Sequence, residues 1–123
     1  MLSSCEVIAF VPTLQPDRAR AFYAEVLGLR FVADEEYALV FDANGTVLRI
    51  AKVEELRPAR YTLLGWKVPD INRSVIELAD RGVTCERYAS LAQDELGIWA
   101  SPGGAKIAWF RDPDGNILSL TQG

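Results

Sequence analysis

The chain has 123 residues, half of them apolar, which is one domain's worth of sequence with enough hydrocarbon for a core. Thirteen basic against seventeen acidic residues leave a net charge of −4, and the cations are scattered. This disfavours a nucleic-acid binder, which needs a basic stripe to replace phosphate counterions, and reads as a solvated acidic surface. The longest apolar runs, Val7–Pro12 and Tyr61–Trp66, are strand-length and too short to cross a bilayer. Met1–Glu6 lacks the basic and apolar stretches of a signal peptide. Cys5 and Cys85 stand apart with no disulfide framework, so a cytoplasmic, reducing setting is expected.

In chain order, Glu6–Pro12 is strand-like, and Pro16 opens a helix over Pro16–Leu27 that Gly28 terminates. Leu29–Asp34, Tyr37–Asp42 and Thr46–Lys52 read as strands, the last two joined across Asn44-Gly45. Val53–Arg60 is a polar connector. The pattern then restarts: strand Tyr61–Val68, helix Ile71–Arg81 with Gly82 as its stop, strand Val83–Tyr88, and a hairpin of Ala105–Arg111 with Asn116–Thr121.

The order is therefore β-α-β-β-β twice, with module one over about 5–55 and module two over about 60–122. A shift of 55 aligns the helix starts, pairing Arg18 with Arg73. A shift of 70 pairs Asp42-Ala-Asn-Gly45 with Asp112-Pro-Asp-Gly115 and leaves an insertion within Ala89–Gly104. Neither half can bury a sheet face alone, so the fold class expected is α+β, with two βαβββ modules in a curved, cup-shaped mixed sheet and helices outside.

Three stretches carry a resemblance: Arg18-Ala-Arg-Ala-Phe-Tyr-Ala-Glu-Val-Leu-Gly-Leu29, Gly65-Trp-Lys-Val-Pro-Asp-Ile71 and Phe110-Arg-Asp-Pro-Asp-Gly-Asn-Ile-Leu-Ser-Leu120. Together they resemble the vicinal-oxygen-chelate superfamily of glyoxalase I, extradiol dioxygenases and bleomycin-resistance proteins, over essentially the whole chain. The resemblance implies paired modules around a cup, often in a homodimer. It also implies four metal-ligand positions, which fall on Ile8, Arg49, Leu63 and Ser119. The two repeat shifts connect these positions in pairs, Ile8 with Leu63 and Arg49 with Ser119. Ile8 and Leu63 have no donor atom, Arg49 is a permanent cation, and Ser119 is a poor neutral ligand. The chain contains no His. Neither a metal site nor a cofactor is expected.

Strand alternation from those positions names the cup face: Glu6, Ile8, Phe10, Val47, Arg49, Leu63, Gly65, Lys67, Ile117, Ser119 and Thr121. Leu48, Ile50, Leu64, Trp66, Leu118 and Leu120 face the helices. Trp109 resembles a family position that supplies an aromatic wall, and its repeat mate by the shift of 70 is Leu39. The candidate ligand-binding set is Ile8, Phe10, Leu39, Arg49, Leu63, Lys67, Trp99, Trp109 and Ser119. Plainer readings stand beside it. Trp66 and Trp109 can be core residues, Arg49 and Lys67 can be structural ion-pair partners, Asp112–Gly115 reads as a turn, and Cys85 as a small buried apolar residue.

Three functional classes follow. The favoured one is a metal-free binder that sequesters a small organic molecule bearing an aromatic or anionic group. The second is a lyase- or dioxygenase-like enzyme using Arg49 or Lys67 as electrostatic stabilisers. The third is an accessory module with a vestigial cup. Ala89–Gly104 is expected to be a mobile flap, with a short strand over Gly97–Ala100 as the rival reading. A homodimer is expected from the open sheet edges. No nucleic-acid or membrane partner is expected.

Overall fold

The computed structural model describes every residue, Met1–Gly123, and the chain divides into two compact units, Met1–Arg57 and Pro58–Gly123. The first contains β1 (Ile8–Thr13), α1 (Pro16–Ala21), β2 (Arg30–Asp34), β3 (Ala38–Ala43) and β4 (Thr46–Lys52). Pro16 occupies the first turn of α1, where its missing N–H leaves no helical bond unmade. The helix then widens into a π-helical turn, Phe22–Val26, closed by the Leu27 N–H donating to the Phe22 carbonyl at 3.0 Å. The strands form a mixed sheet in the order β1-β4-β3-β2, with β1 and β4 parallel. Val11, Leu39, Phe41, Leu48 and Ile50 are buried in this unit, together with Ala19, Phe22 and Tyr23 from the helical segment. Tyr23 leans on Phe41 with ring centroids 6.1 Å apart.

The second unit repeats the plan with β5 (Thr62–Lys67), α2 (Ile71–Asp80), β6 (Trp99–Ala100), β7 (Lys106–Arg111) and β8 (Ile117–Gln122), in the order β5-β8-β7-β6. The Asp70 side chain caps α2 by accepting from the Arg73 N–H at 3.1 Å. Ile71, Val75 and Leu78 form the buried stripe of α2, which packs on β7 and β8, and Ala108, Phe110, Leu118 and Leu120 are buried in those strands. The α+β class and the doubled βαβββ order are as the sequence predicts: two four-stranded mixed sheets, each with a helix against it.

Two expectations are corrected. Val83–Tyr88 is not a strand; it makes one ladder-like bond to β7, from the Glu86 N–H to the Trp109 carbonyl at 2.7 Å. The outer strand position is shared, because Trp99–Ala100 pairs with Lys106 and Ile107 further along β7. The insertion leaves this interrupted strand and returns to it. Its short strand is the rival reading made above.

The second correction concerns the hairpins. In the first, Ala43 pairs with Thr46 across the two-residue loop Asn44-Gly45, where both residues have positive φ, 50° and 94°. That is the geometry a tight hairpin demands. In the second, the Asp112 N–H donates to the Asn116 carbonyl around the three-residue loop Pro113-Asp114-Gly115. The extra residue makes the repeat shift 69 on the incoming strand and 70 on the outgoing one. Leu39 therefore does not match Trp109. It pairs with Ile50 on the helix-facing side and is 1% exposed, whereas Val40, opposite Arg49, is the counterpart of Trp109, opposite Ser119. A one-residue slip exchanges the faces of a whole strand.

Candidate functional site

In the second unit, register sets a group of side chains on the sheet face away from α2. Trp109 lies opposite Ser119, and Ser119 opposite Gly65. One step along, Trp99 lies opposite Ile107, Ile107 opposite Thr121, and Thr121 opposite Lys67. The Trp99 and Trp109 centroids are 6.1 Å apart at an interplanar angle of 33°. Tyr88 meets Trp109 edge-on, with centroids 5.4 Å apart at 85°. Three half-buried rings thus form one continuous apolar wall. Burial raises the Tyr88 phenol above its ordinary value, and the nearby Glu86 carboxylate adds to the rise.

The polar groups sit around this wall. Ser119 is buried, and its hydroxyl packs over the bare Cα of Gly65. Arg111 is held by the Glu86 carboxylate and by the Gly115 carbonyl. Lys67 is exposed at the end of β5. A cleft of about 420 Å³ lined by Arg87, Tyr88, Ala89, Leu91 and Gln93 opens beside the Tyr88 ring.

In the first unit, Ile8, Phe10 and Arg49 share the face away from α1, with Val47 opposite Ile8 and Arg49 opposite Phe10. Ile8 and Phe10 are 50% and 61% exposed. Arg49 binds the Glu35 carboxylate at 3.0 Å, the ion-pair reading of this residue. Lys52 is held alongside by the Asp34 carboxylate at 2.5 Å and the Glu35 carbonyl at 2.7 Å.

Of the nine candidate residues, Lys67, Trp99, Trp109 and Ser119 thus share a face in one unit, and Ile8, Phe10 and Arg49 share one in the other. Leu63 lies at a register irregularity of β5, between Thr62 opposite Ile117 and Leu64 opposite Leu118. Leu39 is removed from the set by its burial among core residues. Tyr88, Ile107 and Val40 were missed. Loop length was the available signal for Val40; for Tyr88 there was none, because its ring joins the wall through the insertion.

The family model of the Glyoxalase/Bleomycin resistance protein/Dioxygenase superfamily matches residues 7–120. The chain belongs to that superfamily. Among solved superfamily-like folds it is similar to TnmS3, an antibiotic binding protein from Streptomyces sp. CB03234, at 25% identity over 99% of this chain and 98% of that one, with a TM-score of 0.75. A superfamily member from Sphaerobacter thermophilus DSM 20745 shares 22% identity over the full length of both chains, with a TM-score of 0.77. A lactoylglutathione lyase from Agrobacterium tumefaciens shares 17% identity over 98% of this chain and 96% of that one, at 0.75. No curated protein sequence matches.

The side chains at the four ligand positions that the resemblance implies do not fit a divalent metal. Ile8 and Leu63 present hydrocarbon, Arg49 brings a cation already paired with Glu35, and the Ser119 hydroxyl packs against Gly65. No group of three or more His, Cys, Asp or Glu side chains is arranged to hold a metal ion. No helix is long and apolar enough to cross a membrane.

Proposed function

We propose that this superfamily member is a metal-free binder of a small organic molecule with a flat apolar body and an anionic or polar edge, and that it sequesters the molecule rather than converting it. The observation that carries this reading is the Tyr88–Trp109–Trp99 wall, standing on the same sheet face as Ser119 where a ligand set would otherwise be sought. Flat apolar molecules stack on such rings, and cations at the edge favour an anionic group. Lys67 lies on that face and supplies such a cation; Arg111 lies beside it but is already paired with Glu86. Binding sites combine an apolar lining with a few polar groups in this way. The antibiotic-binding relative adds support, since its likeness covers both chains almost completely.

In the second module the candidate contacts are Lys67, Trp99, Trp109 and Ser119, extended by Tyr88, with Leu63 at the start of β5; in the first module, taken by itself, they are Ile8, Phe10 and Arg49. The reading includes a single functional domain of two modules, a cytoplasmic setting and a homodimer. For the last, the exposed Val7, Ile8 and Phe10 at an edge strand give the physical reason.

A thermal-shift screen of small organic molecules, run with and without divalent metal, tests it. Stabilisation by planar, edge-charged compounds, equal in the two conditions, is the expected result. Stabilisation that requires metal, or chemical turnover of a stabilising compound, would overturn it.

A further inference from the structure

The insertion has a single side chain at its centre. The Gln93 carboxamide oxygen accepts from the Tyr88 N–H at 2.7 Å. Its nitrogen donates to the Glu86 carbonyl at 2.9 Å and to the Gly97 carbonyl at 2.8 Å. The Gln93 main chain forms an antiparallel bridge with Trp99. Glu86, gripped through its carbonyl, donates its own N–H to the Trp109 carbonyl. The backbone segments carrying all three rings of the wall are therefore joined through one amide, both of whose hydrogens are used.

The rest of the insertion holds that amide in place. The Asp94 carboxylate accepts from the N–H groups of Leu96 and Ile98, both at 2.9 Å, and Arg87 donates to the Glu95 carbonyl at 2.7 Å. Ile98 is buried, which anchors the returning strand beside it. A segment so bonded is a brace, unlike the mobile flap its length and composition suggested.

We infer that Gln93 is a positioning residue: it sets the Tyr88 and Trp99 rings against Trp109, and through them the width and angle of the aromatic wall. The insertion thereby determines which flat molecules the second module accepts. That last consequence rests on the binding function proposed above; the ring geometry does not. The chemistry is specific to an amide. A carboxylate of the same size can accept from Tyr88 but turns negative charge toward two carbonyl oxygens, and an apolar side chain leaves all three groups unpaired.

The test is Gln93→Glu in the full chain, with folding checked by far-ultraviolet circular dichroism. Near-ultraviolet dichroism reads the ring geometry, and a Trp99→Phe variant defines the part of that signal belonging to the Trp99–Trp109 pair. Loss of the pair signal in a folded Gln93→Glu protein is expected, with about tenfold weaker tryptophan quenching by naphthalene-2-sulfonate. An unchanged pair signal would overturn the inference. A wild-type protein that ignores the probe, while Gln93→Glu still abolishes the pair signal, supports the positioning role and counts against the binding reading alone. Should Gln93→Glu not fold, nuclear magnetic resonance of the wild-type protein decides. The Gln93 side-chain amide and Tyr88 N–H protons should exchange far more slowly than those of exposed amides, and exchange at the free-amide rate would overturn the inference.

Discussion

The Ser119 hydroxyl occupies the space a side chain on Gly65 would need: a Cβ built on Gly65 would stand 2.5 Å from Ser119 Oγ. The two residues face each other across β5 and β8, and Trp109 lies opposite Ser119 on its other side, in β7. Gly65→Ala should therefore cost about 1–3 kcal/mol, the usual range for overpacking. Ser119→Ala removes the clashing atom, leaving the Ser119 carbonyl at 3.4 Å and its Cβ at 3.8 Å. The double variant should recover most of the loss. Urea unfolding of the two single variants and the double measures the coupling, and simple additivity would refute the packing account.

Leu39 and Val40 are neighbours in sequence with opposite duties. Leu39 is 1% exposed beside Ile50, so Leu39→Ala should lose about 2–5 kcal/mol of stability without a specific effect on ligand contacts. Trp109→Phe should weaken binding of a planar ligand at a smaller cost in stability, because the ring is only half-buried. Denaturant midpoints together with tryptophan quenching separate the two effects. Equal stability losses would place Trp109 in the core.

This pair also shows where sequence reading stopped. Doubled element order, helix stops and the helix-facing sets Leu48/Ile50 and Leu118/Leu120 follow from periodicity and turn chemistry, which are local. Identical Asp and Gly residues in the two hairpins invited an alignment without gaps. The pairing, however, depends on one loop holding two residues and the other three. The Tyr88 contact was not legible, because it is made by an interrupted strand whose halves are joined by Gln93 hydrogen bonds between residues that carry no periodic signal.

The Arg49–Glu35 pair is partly open to water, with side chains 30% and 51% exposed. Glu35→Gln should change stability by less than about 1 kcal/mol. It should strengthen the binding of anionic ligands to the first module's sheet face, because Arg49 loses its internal carboxylate. Titration at low and high salt checks this, and the gain should shrink as salt screens the charge. Unchanged anion affinity at low salt would remove Arg49 from the ligand set.

The two thiols should behave differently. Cys5 is exposed, whereas burial raises the Cys85 thiol above its ordinary value, against a smaller lowering by Arg87. A disulfide reagent at neutral pH should modify Cys5 quickly and Cys85 slowly, and Cys5→Ser should remove the fast phase. Alkali follows with a definite sign. Below the ordinary thiol value, about 8.5, Cys85 is neutral whether folded or unfolded, so its environment costs nothing. Above that value the unfolded chain ionises first, and stability falls as pH rises toward the shifted folded value. Tyr88, raised in the same direction, extends the decline past about 10, the ordinary phenol value. Cys85→Ala should flatten the first part of that decline, as read from urea midpoints across alkaline pH.

The edge of the first sheet bears on assembly. In β1, a terminal strand of its sheet, Ile8 and Phe10 are 50% and 61% exposed, and Val7 just before it is 74% exposed. Contiguous apolar side chains beside unpaired strand edges are an aggregation hazard that proteins cover or charge, and no Lys or Arg interrupts Val7–Val11. A two-fold partner covers such a patch with the same patch on its own surface. Light scattering at low micromolar concentration should therefore give about twice the 13.6 kDa chain mass. Phe10→Asp places a carboxylate where the two copies would meet, and should return the protein to the mass of one chain while leaving its far-ultraviolet dichroism unchanged. A wild-type mass of 13.6 kDa at every concentration would overturn the dimer.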